Sequence, residues 1–241
     1  MEFENILPFL KIFNAITIIL LNASPLVGLF KIIKKKEKYT YLPFCMLLFF
    51  SLNSLCWTCY WFKNSNMIFM LSYYISTIID SGFLIIYLYF LCKYNKRFLI
   101  SSFLLIVIEV TIVISVLLFI IEYLNFYRRC LIVFSTIMYI SPGQNLIKVF
   151  KEKKCKFIPI LSTMMGLICS GGWLLFGKII DDIYIIIPNG LGLIFSTLYS
   201  LIWLIYYIKE KIDKKKSTFY PEDNNKTRIE DRKSGSAGMP R

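Results

Sequence analysis

The chain contains no histidine. Without an imidazole, histidine-based acid–base chemistry, haem ligation and His-containing zinc sites are excluded together. Charge is scarce too: 18% of the 241 residues are charged, where a soluble domain of this size has about 25%. Acidic residues are the rarer sign, 15 against 28 basic ones, and no convincing acid pair stands out among them. With no histidine motif either, an intramembrane enzyme is disfavoured. The seven cysteines fall mostly inside apolar stretches, where Cys acts as a small apolar residue. Cys56 and Cys59 form a Cys-x-x-Cys step, but without a second ligand pair it supports neither a metal site nor a disulfide framework.

What the chain has in quantity is apolar sequence, 57% of it, arranged in blocks rather than at amphipathic spacing. Seven blocks are visible, at 6–30, 42–62, 67–92, 98–121, 126–147, 157–177 and 183–208. Each reaches about the 20 residues that a helix needs to cross some 30 Å of hydrocarbon. The spacing predicts an all-α membrane protein with seven transmembrane helices. The first block does not read as a cleavable signal peptide, because Glu2 and Glu4 precede it and lysines from Lys31 to Lys38 follow it.

The net charge of +13 sits in the loops, not on a nucleic-acid-binding face. Eighteen basic residues fall in the loops after the first, third and fifth blocks and at the start of the tail, against four (Lys63, Arg128, Arg129, Lys178) in the alternate loops. This asymmetry puts the N-terminus outside and the C-terminus in the cytosol, with Arg128 and Arg129 the discordant pair. The same loops would attract anionic lipid. The expected setting is the plasma membrane, with an endomembrane as the alternative.

The chain also repeats itself. Pro142 follows Pro25 by 117 residues, Pro159 follows Pro43 by 116, and Trp173 follows Trp57 by 116. Such an offset across spaced landmarks marks an internal duplication: a first three-helix unit at 1–92 and a second at 126–208. Three crossings leave the chain on the far side, so one extra crossing, within 93–125, lets the copies stand the same way up. The expected architecture is two parallel three-helix bundles joined by an inversion linker helix (3+1+3), followed by a disordered cytosolic tail at 209–241. Pro25, Pro43, Pro142 and Pro159 then fall at one depth, where missing backbone donors make a ring of hinges.

Trp57 and Trp173 each lie 14 residues past a proline, about 21 Å along a helix. Sixteen residues further on stand Tyr73 and Asn189. An unpaired amide in an apolar span costs a few kcal/mol, so Asn189 should face the bundle interior. Pro188, just before it, is expected to break its helix. Two acids also lie within apolar blocks, Asp80 and Glu109. They are the candidates for a proton relay, with a structural hydrogen-bonding role as the alternative.

These landmarks resemble a known family. Met138-Tyr139-Ile140-Ser141-Pro142, Pro159, Trp173 with Gly177 four residues later, and Pro188-Asn189 resemble the second half of a SWEET-type sugar facilitator of the PQ-loop transporter group. Ser24-Pro25, Pro43-Phe44 and Trp57 with Tyr60 resemble the first half, and the likeness runs over about residues 5–209. It implies a uniporter that moves mono- or disaccharides down their gradient by alternating access, with no cofactor. It implies a sugar held between Trp57 and Trp173 with Asn189, the family's second asparagine falling on Tyr73. Polar positions four residues before each Trp fall on Asn53 and Cys169. The proline ring falls on Pro25, Pro43, Pro142 and Pro159. Extracellular gate positions fall on Tyr60-Trp61 and Phe176-Gly177, with Pro188. Implied partners are a small sugar and membrane lipid, and units this small are compatible with a homo-oligomer.

The rival readings are a proton-coupled amino-acid carrier of the PQ-loop group and a seven-helix receptor. The first needs Asp80 or Glu109 to titrate. The second leaves the repeat and the proline ring without a role.

Overall fold

Every backbone donor and acceptor inside a bilayer must be satisfied within the protein, and a helix does so at 1.5 Å per residue. In the computed structural model, which describes residues 2–35, 44–94 and 124–219, the apolar blocks form such helices. They are α1 (Glu2–Ala23), α2 (Leu26–Lys35), α3 (Phe44–Lys63), α4 (Met67–Tyr94), α5 (Leu124–Ile140), α6 (Leu146–Glu152), α7 (Ile160–Ile179) and α8 (Ile183–Phe219). A 3-10 turn, Ser141–Asn145, links α5 to α6, and another, Cys155–Phe157, precedes α7. Among the described residues six helical stretches are long and apolar enough to cross a membrane. The block at 98–121 with Glu109, as well as Pro43 and the chain beyond 219, lies outside the described residues.

The helices are apolar on the outside and carry their polar groups inward. On α1, Phe9, Ile12, Ile16 and Leu20 form an exposed stripe at helical spacing, while Leu10, Asn14, Ile18 and Leu21 on the other side are buried. A water-soluble helix would show the reverse.

Packing follows one rule twice. α1 packs on α4 and α4 on α3; α5 packs on α8 and α8 on α7; across the seam, α1 meets α7 and α5 meets α3. Exchanging the two triplets reproduces the pattern. Directions follow from the bonds. Asn14 pairs with Gly172 and Ser24 with Ser162, so α1 and α7 are antiparallel. Tyr139 pairs with Asn189 and Ile140 with Tyr199, so α5 and α8 run together. With the α7–α8 hairpin, α1 and α5 therefore point the same way. By the same route α4 ends at the lysine-rich end of the bundle, whereas α5 begins at the opposite end.

Both triplets break their first helix at Ser-Pro. Pro25 and Pro142 have no N–H for the carbonyls four residues back, Leu21 and Met138. The preceding serines supply the missing donor: Ser24 Oγ donates to Leu21 O at 2.6 Å, and Ser141 Oγ to Met138 O at 2.6 Å. Each break is thus a bend with its freed acceptor filled.

Two expectations are corrected. Pro188 does not break its helix: α8 runs through it, because only six residues in, the lost bond belongs to the first turns. Nor does the tail begin at 209, since α8 continues to Phe219. Lys209, Glu210, Lys211 and Lys214 are good helix formers, and Glu210 precedes Lys214 at the favourable i,i+4 spacing. Glu210 also accepts the Cys155 backbone N–H at 2.6 Å, tying the extension to the α6–α7 connection.

Candidate functional site

At the seam between the triplets, α3 and α4 from one and α7 from the other bring three rings together. Trp57 and Tyr73 stack at 5.9 Å with planes 21° apart. Trp173 closes on them at 6.5 Å from Trp57 and 5.8 Å from Tyr73. All three are buried, with Asn53 and Asn189 beside them. These five sequence-expected residues line one narrow cavity, completed by Ile18, Ser135, Met138 and Tyr139.

The polar groups are held by a network that crosses the seam. Trp57 Nε1–H donates to Ser135 Oγ at 2.9 Å, and Ser135 donates to Asn53 Oδ1 at 2.7 Å. Tyr139 donates to Asn189 Oδ1 at 3.2 Å, and Asn189 Nδ2 donates to Ile185 O at 2.8 Å. Ser135 and Tyr139 are four apart on α5 and so share a face. Sequence reasoning passed over both as site residues, since a serine or tyrosine in an apolar span reads as filler. Their i,i+4 spacing beside Ser141-Pro142 was the available signal.

The two tryptophans are not equivalent. The Trp173 indole N–H has no nitrogen or oxygen acceptor among the described residues; the Cys169 sulfur, a weak acceptor, lies beside it along with the Thr17 hydroxyl. Cys169, expected as a site residue, is buried next to Trp173 and is not among the residues that line the cavity. Asn14, which no motif marked, donates to Gly172 O at 3.3 Å and fixes α1 against the turn that carries Trp173.

A slab as thick as a sugar ring between two aromatic faces needs two contacts of about 3.5–4.0 Å each. At 6.5 Å and 31° of tilt, Trp57 and Trp173 stand too close for that. Toward the end opposite the lysines, Trp61, Phe69 and Phe176 continue the aromatic contacts, with Trp61–Trp173 at 6.1 Å, Phe69–Trp173 at 4.6 Å and Phe69–Phe176 at 5.2 Å. Above them Arg128 lies over the rings of both Tyr60 and Tyr184, 5.8 and 5.4 Å from their centres. The Tyr60 hydroxyl is within reach of Arg128 and Asp182. The discordant arginine therefore joins α3, α5 and α8. Gly177 serves packing: a Cβ there would sit 3.0 Å from Ile185, and its carbonyl accepts the Asp182 N–H at 2.9 Å. Pro188 is buried in the first turns of α8.

Two further cavities lie toward the lysine-rich end. One is lined by Met138, Tyr139, Pro142 and Ser162, the other by Ser162, Pro25 and Pro159. The three described prolines of the expected ring thus line these two cavities, and Pro43 lies outside the described residues. Asp80 lines none of the three cavities: it is fully buried and accepts a hydrogen bond from Ser54 at 2.7 Å between α3 and α4.

Comparison with known proteins gives a consistent result. A family described as "Sugar efflux transporter for intercellular exchange" matches residues 125–211. A bidirectional sugar transporter of Oryza sativa subsp. japonica, SWEET7b, is 30% identical over 206 residues, covering 79% of this chain and 75% of that protein. Bidirectional sugar transporter SWEET1 of Arabidopsis thaliana is 26% identical over 200 residues, covering 81% of each. A solved structure of a eukaryotic SWEET transporter superposes with a TM-score of 0.68 at 18% identity, over 86% of this chain and 99% of that one. That likeness speaks for the fold.

Proposed function

The chain belongs to the SWEET family of sugar transporters, and from that premise we propose that it carries mono- or disaccharides in either direction by facilitated diffusion, as a uniporter working through alternating access. It is an integral multi-pass membrane protein and a transporter, not an enzyme. The observation that carries the reading is the buried constellation of Trp57, Tyr73 and Trp173 with Asn53 and Asn189, built half from each triplet. A pyranose has a C–H face that flat aromatic rings cover and a hydroxyl rim that carboxamides both donate to and accept from. Millimolar holding, about −4 kcal/mol, suits a cargo that must leave again.

The rest of the bundle supports a two-sided cycle. The aromatic contacts around Trp61 and Phe176 seal one end. Toward the other end a second cavity adjoins the site at Met138 and Tyr139 and reaches Pro142. Bending at the two Ser-Pro steps would widen one end as the other closes, and sugar entry would part the indoles. α4 ends at one end of the bundle and α5 begins at the other, which supports the 3+1+3 arrangement. The basic end is assigned to the cytosol and the Arg128 end to the outside, with the plasma membrane as the working site.

The proton-coupled amino-acid carrier gains nothing from the geometry, because Ser54 holds Asp80 outside the cavity. The test is radiolabelled hexose counterflow in liposomes, with and without a pH gradient. Exchange should be saturable and indifferent to the gradient. Trp173→Ala and Asn189→Ala should each abolish it while insertion stays near normal. Retained uptake in both variants would remove this cavity from the mechanism.

A further inference from the structure

The third cavity has a chemistry that sugar transport does not use. It lies at the seam where α1 meets α7, floored by the Ser24 and Ser162 hydroxyls, which share a hydrogen bond at 2.7 Å. Lys31 on α2 enters its lining from one triplet and Lys156, just before α7, from the other, and none of the described lining residues is acidic. Both lysines are exposed, and Lys156 also lies over the Phe157 ring at 5.0 Å. Around the mouth, Leu26, Val27, Phe30 and Leu161 are exposed apolar side chains.

α2 explains why these groups meet. It is a ten-residue helix that ends the spanning stretch Ile6–Lys34, burying Leu29 and Ile32 in the core and leaving Leu26, Val27, Phe30 and Ile33 exposed, with Lys31 and Lys34 at its basic end. Its lysines therefore sit at headgroup depth while its apolar residues meet acyl chains. A basic pocket between spanning helices at that depth suits an anionic lipid headgroup.

We propose that this cavity is a binding site for an anionic phospholipid, its phosphate placed between Lys31 and Lys156 with the Ser24 and Ser162 hydroxyls below, and its acyl chains on the apolar rim. The lipid would bridge the two halves of the bundle at their basic end. The site stands independently of which solute the protein carries.

Native mass spectrometry of the purified full chain, titrated with phosphatidylglycerol against phosphatidylcholine, tests it. Wild type should take up one phosphatidylglycerol saturably and in preference. Lys31→Gln with Lys156→Gln should weaken that uptake about 25-fold, at about fivefold per lysine at the headgroup level. Lys151→Gln with Lys154→Gln, two exposed lysines of the same end outside the lining, should leave it unchanged. Equal losses in the two double variants, or no loss in the first, would overturn the site in favour of a diffuse basic surface. Excess inorganic phosphate should compete only weakly. Full displacement by it would show a phosphate site without lipid contribution and would also overturn the proposal.

Discussion

Ser135 shows how much of this site rests on a residue that touches no motif. Its hydroxyl both accepts from Trp57 and donates to Asn53, so one oxygen orients a stacking ring and a carboxamide at once. Replacing it with alanine leaves a buried indole N–H without its acceptor, a loss of about 1–3 kcal/mol. Ser135→Ala should therefore lower exchange at subsaturating sugar by roughly 5- to 100-fold. Ser135→Thr, which keeps the hydroxyl, should recover most of it in the same counterflow assay. Equal loss in both variants would mean that bulk, not bonding, matters there. The tryptophans, Tyr73 and Asn189 stood out in the sequence because their spacing repeats, and Asn53 stood out only through the family resemblance. Ser135 did not, since its partners stand 78 and 82 residues away and only folding brings them together. Cys169 shows the converse: its spacing matched a site position, yet it is not among the residues that line the cavity.

At the scale of helices, close approach and bending can be separated experimentally. Gly171 and Gly172 are neighbours in α7, yet a Cβ on Gly171 would meet nothing within 4 Å, while one on Gly172 would sit 2.4 Å from Asn14 Oδ1 and 2.7 Å from the Phe13 ring. Alanine at 171 should raise stability by about 0.4–1 kcal/mol through reduced chain freedom in the unfolded state. Alanine at 172 should lower it by about 1–3 kcal/mol through overpacking. Thermal unfolding in detergent reads both signs, and a matching shift in the two variants would refute the α1–α7 packing. The Ser-Pro breaks call for a different measurement. Pro25→Ala with Pro142→Ala restores two donors and straightens two helices. The maximal exchange rate should then fall several-fold while the sugar concentration at half-maximal rate changes little. An unaltered rate would show that these bends are static. The prolines announced themselves in the sequence, but the serines that fill the Leu21 and Met138 carbonyls did so only once the bonds were visible. Pro188 and the extension of α8 to Phe219 went unread because a proline near a helix start and a lysine-rich stretch are each consistent with two local structures.

For the whole molecule the decisive quantity is a parity. α1 and α5 point the same way, α4 ends at the basic end and α5 begins at the other, as the proposed 3+1+3 arrangement requires. That proposal gives an odd number of crossings and opposite sides of the membrane for the N- and C-terminal segments. In the proposed orientation the eighteen basic residues of the loops after the first, third and fifth blocks and of the tail face the cytosol. Asn225-Lys226-Thr227 is a glycosylation sequon within that tail. In a eukaryotic host it should stay unmodified, and a sequon-bearing tag added before Met1 should acquire a glycan that a glycosidase removes. A glycan on Asn225 with a bare N-terminal tag would keep the parity and invert the molecule, exchanging which side each gate serves. Glycans at both ends, or at neither, would put both termini on one side. The two triplets could not then stand the same way up, and the shared cavity between Trp57 and Trp173 would lose its structural basis.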